Sequence, residues 1–326
     1  MSGRSSPIPS PLGYVAHELH GPERAWTETN CYADVWIEIL HGYGLDPAAS
    51  LGMVFAMDYG GDQWTFFKQS HHDLYTLYGL DVQELMLWKT LAENAQEQLA
   101  LGRLVLVEAD AFYLPDTAGT DYQTHHVKTT IGIQRIDADG KALDYFHGPG
   151  FHRLQGADFD KTFRVHAPHD PTYMPFFCEL VRFDAMVKRE ARELASLAKA
   201  ALVRHLARRP KVNPFATYRP RLMADVPWIR EGGMERYHAY AFATLRQVGA
   251  AFELGAYHLR FLAKHETGNF AAAATDADAI SETCKSMLLK LARAVMSPKP
   301  VDFGPMLDEL EARWTRLNTA LDMAMR

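Results

Sequence analysis

Residues 31–43 carry apolar positions at helical spacing, with Asn30 ahead of them and Gly44 and Pro47 behind. A capping residue before the run and a glycine and proline after it predict one amphipathic helix. A second helix is expected over 81–101. "RLVLVEADAFYL" alternates instead with period two, placing Leu104, Leu106, Glu108 and Asp110 on one face of a strand. "HVKTTIGIQRI" and "KALDYFHG" flank "DADG" and read as a β-hairpin with Gly140 in its turn. Helix first and antiparallel strands later predict an α+β domain.

The pattern changes near residue 183. Beyond it, long stretches rich in Ala, Leu, Arg and Glu predict helices over 184–209, 234–265, 276–296 and 305–325. The segment "RPKVNPFATYRPRLMADVPW" reads as a basic, proline-rich loop between the first two. The expected organisation is a flexible tail over 1–25, an α+β domain over 26–183 and a helical bundle over 184–326.

Composition narrows the function. The chain has 326 residues, 48% hydrophobic and 23% charged, the balance of a globular protein. A net charge of -6 argues against a general nucleic-acid binder. No apolar run approaches the ~20 residues of a membrane span, and "MSGRSSPIPSPLG" lacks the apolar core of a signal peptide. The three cysteines are far apart, which fits neither a disulfide framework nor a zinc site. A reducing, cytoplasmic setting is the expectation.

Cys31 stands at the predicted helix start. There, unpaired N–H groups and the helix dipole favour a thiolate, the form that attacks thioesters and amides. Position alone favours a buried structural cysteine, so a base is needed. His126 opens a strand, and the hairpin brings His147 back toward it. If Ile136 pairs with Lys141, Phe151 faces His126, and His147 shares its face while Asp144 points away. His147 is then the candidate to orient His126, with Asp144 taking that role if the register slips by one. Glu108 and Asp110 read either as structural carboxylates or as a binding site for a cationic amine. Tyr122, Asp116 and Thr117 lie on the loop leading to His126, and Lys128 shares the face of His126. The remaining histidines, in "QSHHDLY" and "RVHAPHDP" among others, have no metal-ligand spacing. No metal site is expected.

"TNCYADVWIEILHGYGLD", "MDYGGDQWTFF" and "GRLVLVEADAFYLPD" followed by a histidine resemble the butirosin-biosynthesis protein H family over about 28–165. The chain also resembles, nearly end to end, a bacterial family of unassigned function expected near amino-acid:carrier-protein ligases. The first resemblance implies a papain-like cysteine fold. It also implies an acyltransferase taking an aminoacyl group from the 4'-phosphopantetheine thioester of a carrier protein to an amine. Cys31 would be the nucleophile and His126 the general base, with no bound cofactor and no ATP. His147 replaces the Asn or Asp of the papain-like pattern, and Ala25 stands where an oxyanion-stabilising Gln is expected. The N–H of Cys31 with Asn30 or Thr29 is the substitute, and Glu28 would oppose the thiolate if it faced inward.

Between Glu193 and Asp225 the chain has no acid but carries Lys199, Arg204, Arg208, Arg209, Lys211, Arg219 and Arg221. Such a segment would steer an acidic carrier protein, or is simply a solvated helix end and loop. The alternatives to transfer are a cysteine hydrolase of the same fold (peptidase, amidase or thioesterase) and a non-catalytic carrier-binding module.

Overall fold

Residues 128–147 form the hairpin on which the first half of the chain is built. The computed structural model describes residues 10–26, 30–167, 172, 174–297 and 299–325. Among them six strands make one antiparallel sheet. They are β1 (Asp81–Glu84), β2 (Leu104–Asp110), β3 (Lys128–Asp137), β4 (Ala142–His147), β5 (Gly150–Gln155) and β6 (Cys178–Arg182), in the order β1-β6-β2-β3-β4-β5. Helices α1 (Cys31–Gly42), α2 (His71–Tyr78), α3 (Leu91–Ala100) and α4 (Ala157–Thr162) accompany it. The fold is α+β, as its alternating strands predict.

The two sheet faces differ as the period-two pattern requires. Val105, Val107 and Ala109 of β2 and Ile131 and Ile133 of β3 join Leu91, Ala95, Tyr145 and Phe159 in one core. The opposite face packs against α1, and Gly132 makes that approach possible. A Cβ on Gly132 would stand 3.0 Å from Ile39 Cδ1. Leu106, Glu108 and Asp110 lie on this α1 face, opposite Gly132, Thr130 and Lys128 of β3.

The hairpin register differs from the expected one. Gly132 faces Phe146, and after a bulge between Ile133 and Arg135, Ile136 faces Leu143 rather than Lys141. A one-residue change exchanges faces, so His147 falls on the side of Thr129 and Ile131, away from α1. The turn residues account for the shift. Lys141 takes the left-handed conformation (φ 50°), and Gly140 is needed for proximity, because a Cβ there would lie 2.3 Å from Asp137 Oδ2.

Three other expectations are corrected. The segment 81–101 is β1 followed by α3, the latter started by a Thr90–Glu93 capping box. The tail is anchored from Tyr14 on, because Glu38 of α1 accepts hydrogen bonds from Tyr14 Oη at 2.6 Å and from His17 N at 3.0 Å. The basic "loop" is largely a helix. Asn213 Oδ1 caps it by accepting from Phe215 N at 3.1 Å, Pro214 takes the first turn, and Phe215, Tyr218, Leu222 and Ile229 are buried along one side. Residues 1–9, Glu28 and Thr29 lie outside the described residues.

The rest of the chain is helical: α5 (Ala191–Leu206), α6 (Pro214–Glu231), α7 (Gly233–Ala241), α8 (Gln247–His265), α9 (Phe270–Met296) and α10 (Gly304–Ala324). A π-helical turn at 242–246 joins α7 to α8. The chain divides into two compact units. One comprises residues up to Gly21, Cys31–Pro47 and His71–Lys188; the other comprises Pro22–Asn30, Ala48–Ser70 and everything from Arg189. No helix among the described residues is long and apolar enough to cross a membrane.

Candidate functional site

Cys31 is the first residue of α1, partly exposed, and its Sγ lies 3.6 Å from Thr130 Oγ1. Cys178 and Cys284 are fully buried, and burial raises both thiols, Cys178 to about 12. Of the three, only Cys31 combines access with a helix N-terminus, the setting that supports a reactive thiolate. Asn30 is buried, and its amide donates to the Phe67 carbonyl at 2.7 Å.

Thr130 faces Glu108 across β2, and the next pair along the same face is Lys128 with Asp110. Their side chains interlock. Lys128 Nζ donates to Glu108 Oε1 at 3.0 Å, and His126 Nδ1 lies 2.6 Å from Asp110 Oδ2. The His126 ring is stacked on Phe112, with centroids 4.3 Å apart and planes 10° apart. Asp110 therefore holds one imidazole nitrogen and leaves Nε2 for other chemistry. The row of Asp110 is two residues, or about 7 Å, along the strands from the row of Thr130 and Cys31. Cys31 and His126 share a sheet face, but the thiol's hydrogen bond is to Thr130.

A cleft of about 460 Å³ opens at this end of the sheet. Glu108, Asp110, His126 and Lys128 line it from the strands, and Tyr113, Met174, Phe176 and Phe177 supply apolar surface. Lys161, Arg164 and His166 line it from the end of α4 and the chain beyond. Four of the residues singled out from the sequence thus meet in one cavity, whose size suits a small-molecule site. Cys31 and His147 are not among its lining residues.

His147 belongs to a buried relay on the other face. Its Nε2 is 2.7 Å from Thr129 Oγ1 and its Nδ1 2.5 Å from Asp116 Oδ2, while Tyr145 Oη also bonds Asp116. Burial works against the Asp116 charge, but the hydrogen bond and charge of His147, with His152 and Tyr145, outweigh it and hold the carboxyl below its usual range. The expected role of His147 in orienting His126 passes to Asp110. Asp144 does not take it either, being bonded to Arg153 at 2.7 Å and 3.5 Å from Arg135. Tyr122 donates to Asp158 at 2.9 Å, and the Thr117 hydroxyl donates to the carbonyls of Ala111 and Leu114.

The sequence gave no prominence to a second histidine–carboxylate couple on the α1 face. His71 Nε2 lies 3.0 Å from Glu179 Oε1, and Tyr32 Oη donates to Glu179 Oε2 at 3.0 Å. Glu179 pairs with Leu106 across the sheet and is buried. The alternation of "CELVR" carried the signal, since it puts a charged residue on a covered face. Among the described residues, no group of three or more His, Cys, Asp and Glu side chains is placed to hold a metal ion.

The basic residues of the helical unit are largely committed to it. Arg219 bonds Asp308 and, at 2.7 Å, Glu311; Arg209 bonds Asp322 at 2.9 Å; all three acids belong to α10. Arg221 bonds Asp225 within α6, and Arg204 donates to Ala200 O within α5. Arg208 and Lys211 are exposed between the two helices.

No curated protein sequence matches the chain. The family model for the DUF1839 N-terminal domain matches residues 15–183, and that for the DUF1839 C-terminal domain matches residues 191–323. Helix α1, the sheet and the cleft all lie within the first of these spans, the six long helices within the second but for the ends of α10, and the chain belongs to the DUF1839 family.

Proposed function

We propose that this protein is a cysteine-dependent acyltransferase of papain-like type, with Cys31 as nucleophile and His126, oriented by Asp110, as general base. The single observation behind this reading is the arrangement on one sheet face. A thiol at a helix N-terminus leans on β3, and the same strand leads back to a histidine fixed by a carboxylate at a cleft. In the proposed cycle the Cys31 thiolate attacks an aminoacyl thioester, and the carrier thiol leaves with a proton. An amine then attacks the acyl-enzyme, His126 takes its proton, and Cys31 is released. Thioester exchange is nearly balanced in energy, so the cycle needs no ATP. A phosphopantetheine thioester is the donor that the sequence resemblance suggests. Arg208 and Lys211 are the exposed cations suited to an acidic carrier.

The test is the intact mass of the protein after mixing with aminoacyl-pantetheine thioesters, and with loaded carrier protein. One aminoacyl adduct, absent in Cys31→Ala and slowed in His126→Ala, is the expected result. Absence of an adduct with every donor would sink the catalytic reading. Candidate amines and water then compete for the acyl-enzyme, which separates a transferase from a hydrolase. One observation favours a non-catalytic carrier-binding module instead: the Cys31 thiol bonds Thr130 rather than a base. That reading requires Cys31 to be no more reactive than a buried thiol.

A further inference from the structure

The charges around the cleft are unevenly matched. On the strand side, Glu108 is paired with Lys128 and Asp110 with His126. On the α4 side, Asp160 is paired with Lys141 at 2.6 Å and lies 3.5 Å from His166. Each acid of the lining thus has its own cation. Lys161 adds an exposed ammonium, and Arg164 adds a guanidinium lying 4.1 Å from the Phe176 ring centroid. Arg164 gives one N–H to the Met174 carbonyl at 2.6 Å, and a guanidinium carries five such donors. It is held by a residue in the left-handed region, φ 54°, a conformation that costs a non-glycine residue and recurs at ligand sites. Between this cationic end and His126 lies the aromatic surface of Tyr113, Phe176 and Phe177.

A ligand matching this lining has a group that gives up a proton at His126, an apolar body over the aromatic rings, and a negative charge toward Lys161 and Arg164. We propose that the acceptor is an amine that itself carries an anionic group, carboxylate or phosphate, and that Lys161 and Arg164 select for that charge. The assignment rests on the acyl-transfer reading for the amine's fate, but the binding preference can be measured without any chemistry.

The experiment therefore uses full-length Cys31→Ala protein and calorimetric titration. The carboxylate arm compares L-phenylalanine with phenethylamine, and the phosphate arm compares O-phosphoethanolamine with ethanolamine. The expected result is that the anionic member of at least one pair binds about tenfold or more tightly, the size of a charge-assisted hydrogen bond. The arm showing the difference identifies the anion. Arg164→Gln and Lys161→Gln should shrink that ratio toward one while leaving the uncharged amine's affinity unchanged. Equal binding within both pairs, an unchanged ratio in both variants, or no binding of any probe at millimolar concentration would overturn the proposal. If the charge preference holds but the wild-type protein forms no acyl adduct, the site assignment stands and the transferase reading falls.

Discussion

Cys31 differs from the other two cysteines in access and in surroundings, and that difference is measurable. With its pKa pushed up to about 12, Cys178 is thiolate in only about one part in ten thousand at pH 8. One equivalent of iodoacetamide should therefore modify Cys31 first, at least tenfold faster than Cys178 or Cys284, as read by peptide mass mapping. Equal rates would remove the premise of a nucleophile. Asp110→Asn tests the orientation of His126: it keeps the shape but loses the carboxylate that fixes Nδ1–H. Adduct formation should slow by about 10- to 100-fold, within the usual contribution of an acid–base group. His147→Asn should instead lower thermal stability, because it leaves Asp116 buried without its charged partner. A His147→Asn protein that keeps its full stability would show that the relay is dispensable.

At the scale of elements, α1 carries the thiol, and two devices fix it to the sheet. Gly132→Val would drive a branched side chain against Ile39 and Leu104, at a cost of about 1–3 kcal/mol. Chemical denaturation should show that loss, and Gly132→Ala a smaller one. The second device is the buried contact of Glu38 with His20, which also lies 3.6 Å from Asp34. Burial opposes the His20 charge, but the hydrogen bonds and charges of Asp34 and Glu38 prevail and raise it from 6.5 to about 9. A histidine raised on folding contributes stability that is complete below pH 6.5 and is lost as the pH rises through about 9. Glu38 is shifted the other way, below its ordinary 4.5; burial opposes this, and the His20 bond and charge, with Tyr14 and His17, override it. Its contribution is present above pH 4.5 and is lost on acidification. Stability should be highest between about pH 4.5 and 6.5 and decline toward pH 9 by on the order of 2–3 kcal/mol. His20→Gln should flatten the alkaline decline in a series of melting curves. A wild-type melting temperature that stays level from pH 6.5 to 9.5 would refute this account.

At the scale of the whole molecule, the cations of the helical unit divide into two kinds. Arg219 and Arg209 tie α5 and α6 to α10, so their substitution acts on stability. Arg208→Glu with Lys211→Glu should leave melting unchanged and slow acylation from a loaded carrier at low salt, with no effect on a free pantetheine donor. The same division shows why this region was misread. Pro214, Pro220 and Pro227 are breakers by propensity, yet Phe215, Tyr218, Leu222 and Ile229 bury one side of α6 and override them. The compact units likewise interleave in sequence, since Ala48–Ser70 packs with the helices that follow Arg189. A composition change near 183 is visible along the chain; packing across more than a hundred residues is not.

What the sequence by itself determined is local. The start of α1 at Cys31, the alternation that places Glu108 and Asp110 on one face, and the hairpin between β3 and β4 all follow from short-range patterns. They follow because helix caps and a period of two are properties of neighbouring residues. The tertiary structure alone decided which side chains pair. A bulge after Ile133 and a left-handed Lys141 moved the register by one, sending His147 to Asp116 and leaving Asp110 to hold His126. Pairing across strands depends on the position of a whole chain segment to within one residue. A turn of four residues can supply or remove that one residue without changing the pattern on either side.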